Sequence, residues 1–343
     1  MASLATVNPS ADGLTVGPFG QQPTVRNALT LASFPPIVSR ALSVATFVLV
    51  LCVAARAQTA QQFEDQISSE LAAGQLNAAI SDARRAVAQF PRSPSLHQLL
   101  GVALFKAGQK EDARPEFRRA IELDPKIPDN YFDLALLELS DNRLPDAVPL
   151  LKKYLALKPD NAQAHLLLGR AEHNLNETLP AIAEFEKALQ LSPNLPLAHY
   201  HLGFAYQSQG DVKAALAEFQ KEIALNPRFY DAWWLSGNIQ LDDGDVAAAA
   251  DSFQRAIELR ADGFEGHYGL GRVEMAAKQW TDAVRELERA VALKPENLEA
   301  HYALARTYQQ LGNKDAAARE FKIVADGHAR ERNSGSGIAG QNH

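Results

Sequence analysis

The chain has 343 residues, 46% of them hydrophobic and 22% charged, and 41 acidic against 34 basic side chains give a net charge of −7. This is the composition of a folded, core-forming chain. Its acidity excludes the clustered-base chemistry of a protein that wraps nucleic acid, so no nucleic-acid partner is expected. A single cysteine, Cys52, excludes an intrachain disulfide and any multi-cysteine metal site.

Residues 1–36 are rich in Gly, Pro, Ser, Thr and Asn and lack periodicity, which predicts a disordered leader. Arg40 then precedes an apolar run from Ala41 to Ala55, and Ala55-Arg56-Ala57 follows. A basic flank, a short apolar core and a small-x-small site predict a signal peptide over 37–57, cleaved after Ala57. The run is short for a spanning helix, which needs about 20 residues. The expected location is therefore periplasmic or secreted. The alternative is a membrane anchor formed by uncleaved residues 37–55, the only membrane contact expected. Cleavage leaves a chain without cysteine, which suits an oxidising compartment.

Beyond residue 57 the chain repeats itself every 34 residues. Pro91, Pro125, Pro159, Pro193, Pro227, Ala261 and Pro295 stand at that interval, as do Ala79, Ala113, Ala147, Ala181, Ala215, Ala249, Ala283 and Ala317. Four residues after each of these alanines comes Ala83, Phe117, Leu151, Phe185, Phe219, Phe253, Leu287 or Phe321. Each unit reads as two antiparallel helices: Gly or Asn ends the first helix and Pro ends the second. A small residue recurs in the first helix (Gly101, Gly169, Gly203, Gly237, Gly271), where it allows close approach of the second. Pro115 and Pro149 are expected near the starts of second helices, where a missing N–H costs least. One unit of this size cannot bury a core alone, so stacking on neighbours must supply the stability.

In unit 196–229 the recurring residues are His199, Leu202, Gly203, Tyr206, Ala215, Phe219 and Pro227. This pattern resembles the tetratricopeptide repeat family, with His in place of the first large residue. The resemblance implies an all-α fold, a right-handed α-solenoid of antiparallel helix pairs. It spans eight units, 60–93, 94–127, 128–161, 162–195, 196–229, 230–263, 264–297 and 298–331, within a solenoid from 58 to 331. Residues 332–343 are expected to form a disordered tail. The family often adds a solvating helix after its last unit, and none is visible here.

Candidate chemistry is sparse. Gly335-Ser336-Gly337-Ile338-Ala339-Gly340 matches the dinucleotide fingerprint letter for letter, but no strand precedes it. His97, His165, His199, His267 and His301 share one repeat position with Tyr131 and Trp233, which favours packing over metal binding. Asp242-Asp243-Gly244-Asp245 lacks the alternation and closing Glu of a calcium loop. Asn176-Glu177-Thr178 is a glycosylation sequon. No catalytic residue, metal ligand or cofactor is expected, and the chain reads as a non-enzyme.

The family's usual work is to bind proteins or peptides in the concave groove. The resemblance implies that the fifth and ninth residues of each unit face it. The candidates for partner binding are Phe132, Arg170, Tyr200, Phe204, Trp234, Asn238, Tyr268, Arg272, Tyr302 and Arg306. Aromatic residues and Arg dominate binding hot spots. The competing reading has the fifth-position aromatics packing between helices. Capture of a chaperone C-terminus is disfavoured, because no unit carries the fifth-position Lys of that clamp. The expected function is an exported interaction scaffold holding a peptide segment or partner protein. The alternative is a spacer or assembly factor of a cell-envelope complex, acting through its convex face or self-associating through the C-terminal unit.

Overall fold

The computed structural model describes the backbone of residues 59–338 and the side chains through Arg332. The expected leader and signal peptide lie outside the described residues. Sixteen helices and no strand occur among the described residues. They fall into eight consecutive pairs: α1 (59–72) with α2 (Leu76–Gln89), α3 (Pro94–Lys106) with α4 (Lys110–Leu123), α5 (Pro128–Ser140) with α6 (Leu144–Leu157), and α7 (Ala162–Asn174) with α8 (Thr178–Leu191). The remaining pairs are α9 (Ala198–Gln209) with α10 (Val212–Leu225), α11 (Tyr230–Asp242) with α12 (Val246–Leu259), α13 (Phe264–Ala276) with α14 (Trp280–Leu293), and α15 (Leu298–Gln310) with α16 (Lys314–Ile338).

Local sequence sets these boundaries. The Ser93, Asn161 and Asn297 side chains accept from the backbone N–H three residues on, capping α3, α7 and α15. Asp211, Asp245 and Asn313 do the same for α10, α12 and α16. The turn inside each pair needs one residue at positive φ. Gly74, Gly108, Gly210, Gly244 and Gly312 fill it in five units, and Asn142, Asn176 and Lys278 in the others. Pro115 and Pro149 correct an expectation: each is the sixth residue of its helix, beyond the first turn. A carbonyl one turn back, on Glu111 or Pro145, therefore loses its helical N–H partner.

Packing within a pair centres on the residue four after the recurrent alanine. Phe117, Phe185, Phe219 and Phe253 are completely or almost completely buried, each worth roughly 2–3 kcal/mol of apolar burial. A Cβ added at Gly101, Gly169 or Gly203 would come within 2.7–2.8 Å of Phe117, Phe185 or Phe219. The small residue of the first helix is thus the seat of the aromatic ring of the second.

Each even helix also packs on the next odd one, α2 on α3 through α14 on α15. Odd helices approach the odd helix of the next unit as well: α3 with α5, α7 with α9, α11 with α13 and α13 with α15. Among the described residues no two even helices pack to a similar extent. The first helices therefore line the inner face of the curve and the second helices its outer face.

The C-terminal end departs from the sequence expectation. Ala329 stands where the 34-residue interval would place a helix-ending proline, and α16 runs 25 residues to Ile338. Residues 332–338, expected within an irregular tail, are helical. Burial of Gly327 against Leu298 ties α16 to the start of α15, so the last helix itself covers part of the exposed end.

Candidate partner-binding groove

The ten candidate residues fall on five adjacent inner helices and one earlier one, and divide into two groups. The first group packs. On α5, the Phe132 ring lies 4.8 Å from that of buried Tyr154. On α9, Tyr200 is half-buried, with its ring 6.2 Å from Phe219 and edge-on to Phe229 at 5.0 Å. Trp234 on α11 touches two clusters, one holding Phe219 and Leu235 and one holding Phe253 and Val273, so it bridges units. Its indole N–H donates to Asp231 at 3.0 Å. Tyr268 on α13 stacks on Phe264 at 5.4 Å. Burial pushes the Tyr200 and Tyr268 phenols above their ordinary range, with nearby Asp231 and Glu299 adding to the effect. These four aromatics belong substantially to the packing reading.

The second group is open to solvent or bonded only at the surface. Arg170 on α7, Phe204 on α9, and Tyr302 and Arg306 on α15 are exposed, Phe204 by 40% and Tyr302 by 47%. Phe204 meets His173 of the preceding unit edge-on at 5.5 Å. Arg272 on α13 reaches back one unit: its guanidinium donates to Asn238 Oδ1 at 3.1 Å and Asp242 Oδ1 at 3.0 Å, and lies over the Tyr268 ring at 5.8 Å. Asn238 is thereby partly used by the protein. Arg306 donates to the Tyr302 hydroxyl at 3.2 Å and lies 6.0 Å from its ring centroid. Among the described residues neither Arg170 nor Arg306 has a carboxylate partner within ion-pair distance, in a chain with more acids than bases.

Tyr268, Arg272, Tyr302 and Arg306 come together in one cleft of about 500 Å³. Met275, Leu298, Glu299, Ala303, Val324 and His328 complete its walls. The sequence reading missed these contributors. Ala329 in place of a helix-ending proline is a signal for His328 alone, because α16 continues past the usual stop. Met275, Leu298, Glu299, Ala303 and Val324 stand at regular helical positions, whose place in the cleft only the packing of α13, α15 and α16 reveals.

The shared histidine position has a defined structural task. Nε2 of His97, His165, His199, His267 and His301 donates to the carbonyl six residues earlier at 2.9–3.2 Å. Nδ1 of each ring lies 2.5–2.8 Å from the Glu nineteen residues later, on the second helix of the same unit. Tyr131 and Trp233 make the same bond to the carbonyls of Pro125 and Pro227, at 3.1 and 2.9 Å. This position ties the first helix of the second to eighth units to the turn before it. His201 instead stacks on Phe185 at 5.9 Å. Burial, with Arg170 and His173 nearby, holds its pKa down to about 4, so the ring is neutral at physiological pH.

Comparison with known proteins places this architecture. No curated protein matches the chain. Among solved structures, the C-terminal part of a TPR repeat-containing protein from Cytophaga hutchinsonii is 16% identical, with a TM-score of 0.59 over 70% of this chain and 99% of that one. YrrB, described as a TPR protein with an unusual peptide-binding site, is 24% identical, with a TM-score of 0.50 over 55% of this chain and 96% of that one. A MamA fragment from Desulfovibrio magneticus is 20% identical with a TM-score of 0.47, over 49% of this chain and 96% of that one. These likenesses concern the fold. A family model described as tetratricopeptide repeat matches residues 65–128 and 200–264, a second so described matches 274–330, and one described as TPR repeat matches 169–210. Together they cover more than half of the chain, which is a right-handed α-solenoid and belongs to the tetratricopeptide repeat family.

Proposed function

We propose that this protein is an exported, non-catalytic scaffold that holds a peptide segment or partner protein against its inner face. The observation that carries the reading is the set of accessible groups on α7, α9 and α15. Phe204 and Tyr302 present apolar area to solvent, and Arg170 and Arg306 keep guanidinium groups without a carboxylate partner among the described residues. Exposed aromatics beside uncommitted Arg supply desolvation and directional hydrogen bonds together. Protein or peptide binding is also the usual work of the family.

The test is affinity capture from an envelope extract with the full chain as bait. Phe204→Ala with Arg170→Gln should abolish capture while melting stays within a few degrees of the parent. Capture unchanged by that pair would overturn the groove assignment. Trp234→Ala is unsuited to this test, because Trp234 is shared between two core clusters. The export component rests on the Arg40-flanked apolar run and Ala55-Arg56-Ala57. It predicts a mature chain beginning at Gln58, which N-terminal sequencing reads directly. A chain retaining residues 37–55 in the membrane fraction would replace export with anchoring.

A further inference from the structure

The end cleft is chemically unlike the rest of the inner face. In the repeating units a following first helix covers the helix pair. Among the described residues no further first helix packs on the α15–α16 pair, and α16 lines the space with Val324 and His328. The apolar wall is Met275, Leu298 and Val324, and Met is the side chain best able to adapt to a ligand's shape.

The charges of the cleft are unequal in availability. Arg272 is engaged by Asp242 and Asn238. His328 lies 3.1 Å from Glu331. Arg306 alone among these three side chains has no carboxylate partner among the described residues, its one hydrogen bond going to the Tyr302 hydroxyl oxygen. That oxygen accepts from Arg306, so the Tyr302 O–H can itself donate. A guanidinium and a phenol aimed at one place match a carboxylate. Glu299 lines the same cleft and opposes a second negative charge. The cleft thus selects one carboxylate, not an acidic run.

We propose that the end cleft takes a peptide segment presenting a single carboxylate next to an apolar side chain. The carboxylate is held by Arg306 and Tyr302, and the apolar side chain lies against Met275, Leu298 and Val324. The inference rests on the groove reading above and adds to it the chemistry of the occupant.

The test probes the full chain with a random hexapeptide array, acetylated and amidated so that only side chains carry charge, and with a second array bearing free C-termini. One Asp or Glu beside Leu, Ile, Val, Met or Phe should be enriched. The first array reports a side-chain carboxylate; enrichment confined to the second, with an apolar last residue, reports a terminal one. Arg306→Gln should weaken binding of the enriched peptides about tenfold, the scale of one charge-assisted hydrogen-bonded pair. Arg228→Gln, in the exposed turn before α11, should leave it unchanged. Peptides enriched without an acid, or acidic peptides bound equally by Arg306→Gln, would overturn the cleft assignment. If Phe204→Ala with Arg170→Gln then abolishes their binding, the groove reading survives that failure. An array with no peptide above background would overturn both.

Discussion

Phe219 lies so close to Gly203 that a Cβ on the glycine would come within 2.8 Å of the ring and 3.1 Å of the Ala215 carbonyl. The ring is fully buried and the carbonyl belongs to the α10 backbone, so neither can give way cheaply. Gly203→Ala should therefore destabilise the protein despite the better helix propensity of Ala. The expected cost is about 1–3 kcal/mol, read as a lower urea midpoint. An unchanged or higher midpoint would show that α9 and α10 can separate without penalty.

Lys278 occupies the turn position that Gly or Asn fills in every other unit, at φ 59°. An L side chain in the left-handed region costs roughly 1–2 kcal/mol. Nothing lies within 4 Å of a Cβ at the equivalent Gly74, Gly108, Gly210, Gly244 or Gly312, so the site is open and the strain is local backbone strain. Lys278→Gly should raise the stability by about 0.5–1 kcal/mol after the entropy of the unfolded glycine is deducted, read as a higher urea midpoint, and Lys278→Asn should follow in the same direction.

Glu274 carries a pH dependence. At the same repeat position in earlier units, Glu138 accepts from Arg114 at 3.0 Å and Glu172 lies 2.9 Å from Lys152. Glu274 is buried, with Arg285 only at 3.9 Å. Burial, then the negative charge of Glu286, pushes its pKa up to about 7 against the partial opposition of Arg285. The folded state thus binds this proton more tightly than the unfolded chain. The associated stability is fully present below 4.5, the ordinary value, and is lost as pH rises through about 7. Glu274→Gln keeps the neutral form at every pH. It should raise the melting temperature at pH 8, by an amount corresponding to about 1–2 kcal/mol, and change it little at pH 5. An equal effect at both values would contradict the assignment.

Asn130 is completely buried, and its amide oxygen and nitrogen have no hydrogen-bond partner among the described residues. The same repeat position holds Ala164, Ala198, Ala232 and Ala300, all fully buried. Asn130→Ala should accordingly stabilise the protein by about 1 kcal/mol, since removing an unsatisfied buried amide outweighs the lost volume. A thermal melt settles the sign.

The helix pairs and their solenoid arrangement were legible because a 34-residue period repeats small, aromatic and turn residues without slippage. Phe117 and Gly101 could be matched from sequence because each has several counterparts. What stayed hidden is what occurs once. Lys278 breaks the Gly/Asn column, yet the backbone keeps the same turn, since the flanking helices dictate it. α16 continues through Ala329, where a proline would stop it, whereas α12 ends at Leu259 despite Ala261, so the missing proline does not by itself fix where a helix ends. The histidine column read as packing. Its hydrogen bonds to a carbonyl six residues back and a Glu nineteen residues on required the fold to be seen. Position in the repeat placed the candidate residues on first helices, but whether an aromatic faces solvent depends on neighbours in adjacent units. Trp234 is drawn into two clusters, while Phe204 stays exposed.

The central claim is that the inner face, made by first helices, is where a partner sits. Hydrogen–deuterium exchange on the full chain, alone and with a captured partner, tests this most directly. The account predicts slowed exchange confined to α7, α9, α11, α13 and α15, with α8, α10, α12 and α14 unchanged. Protection concentrated on those even helices, with the odd ones unaffected, would contradict it and place the partner on the outer face.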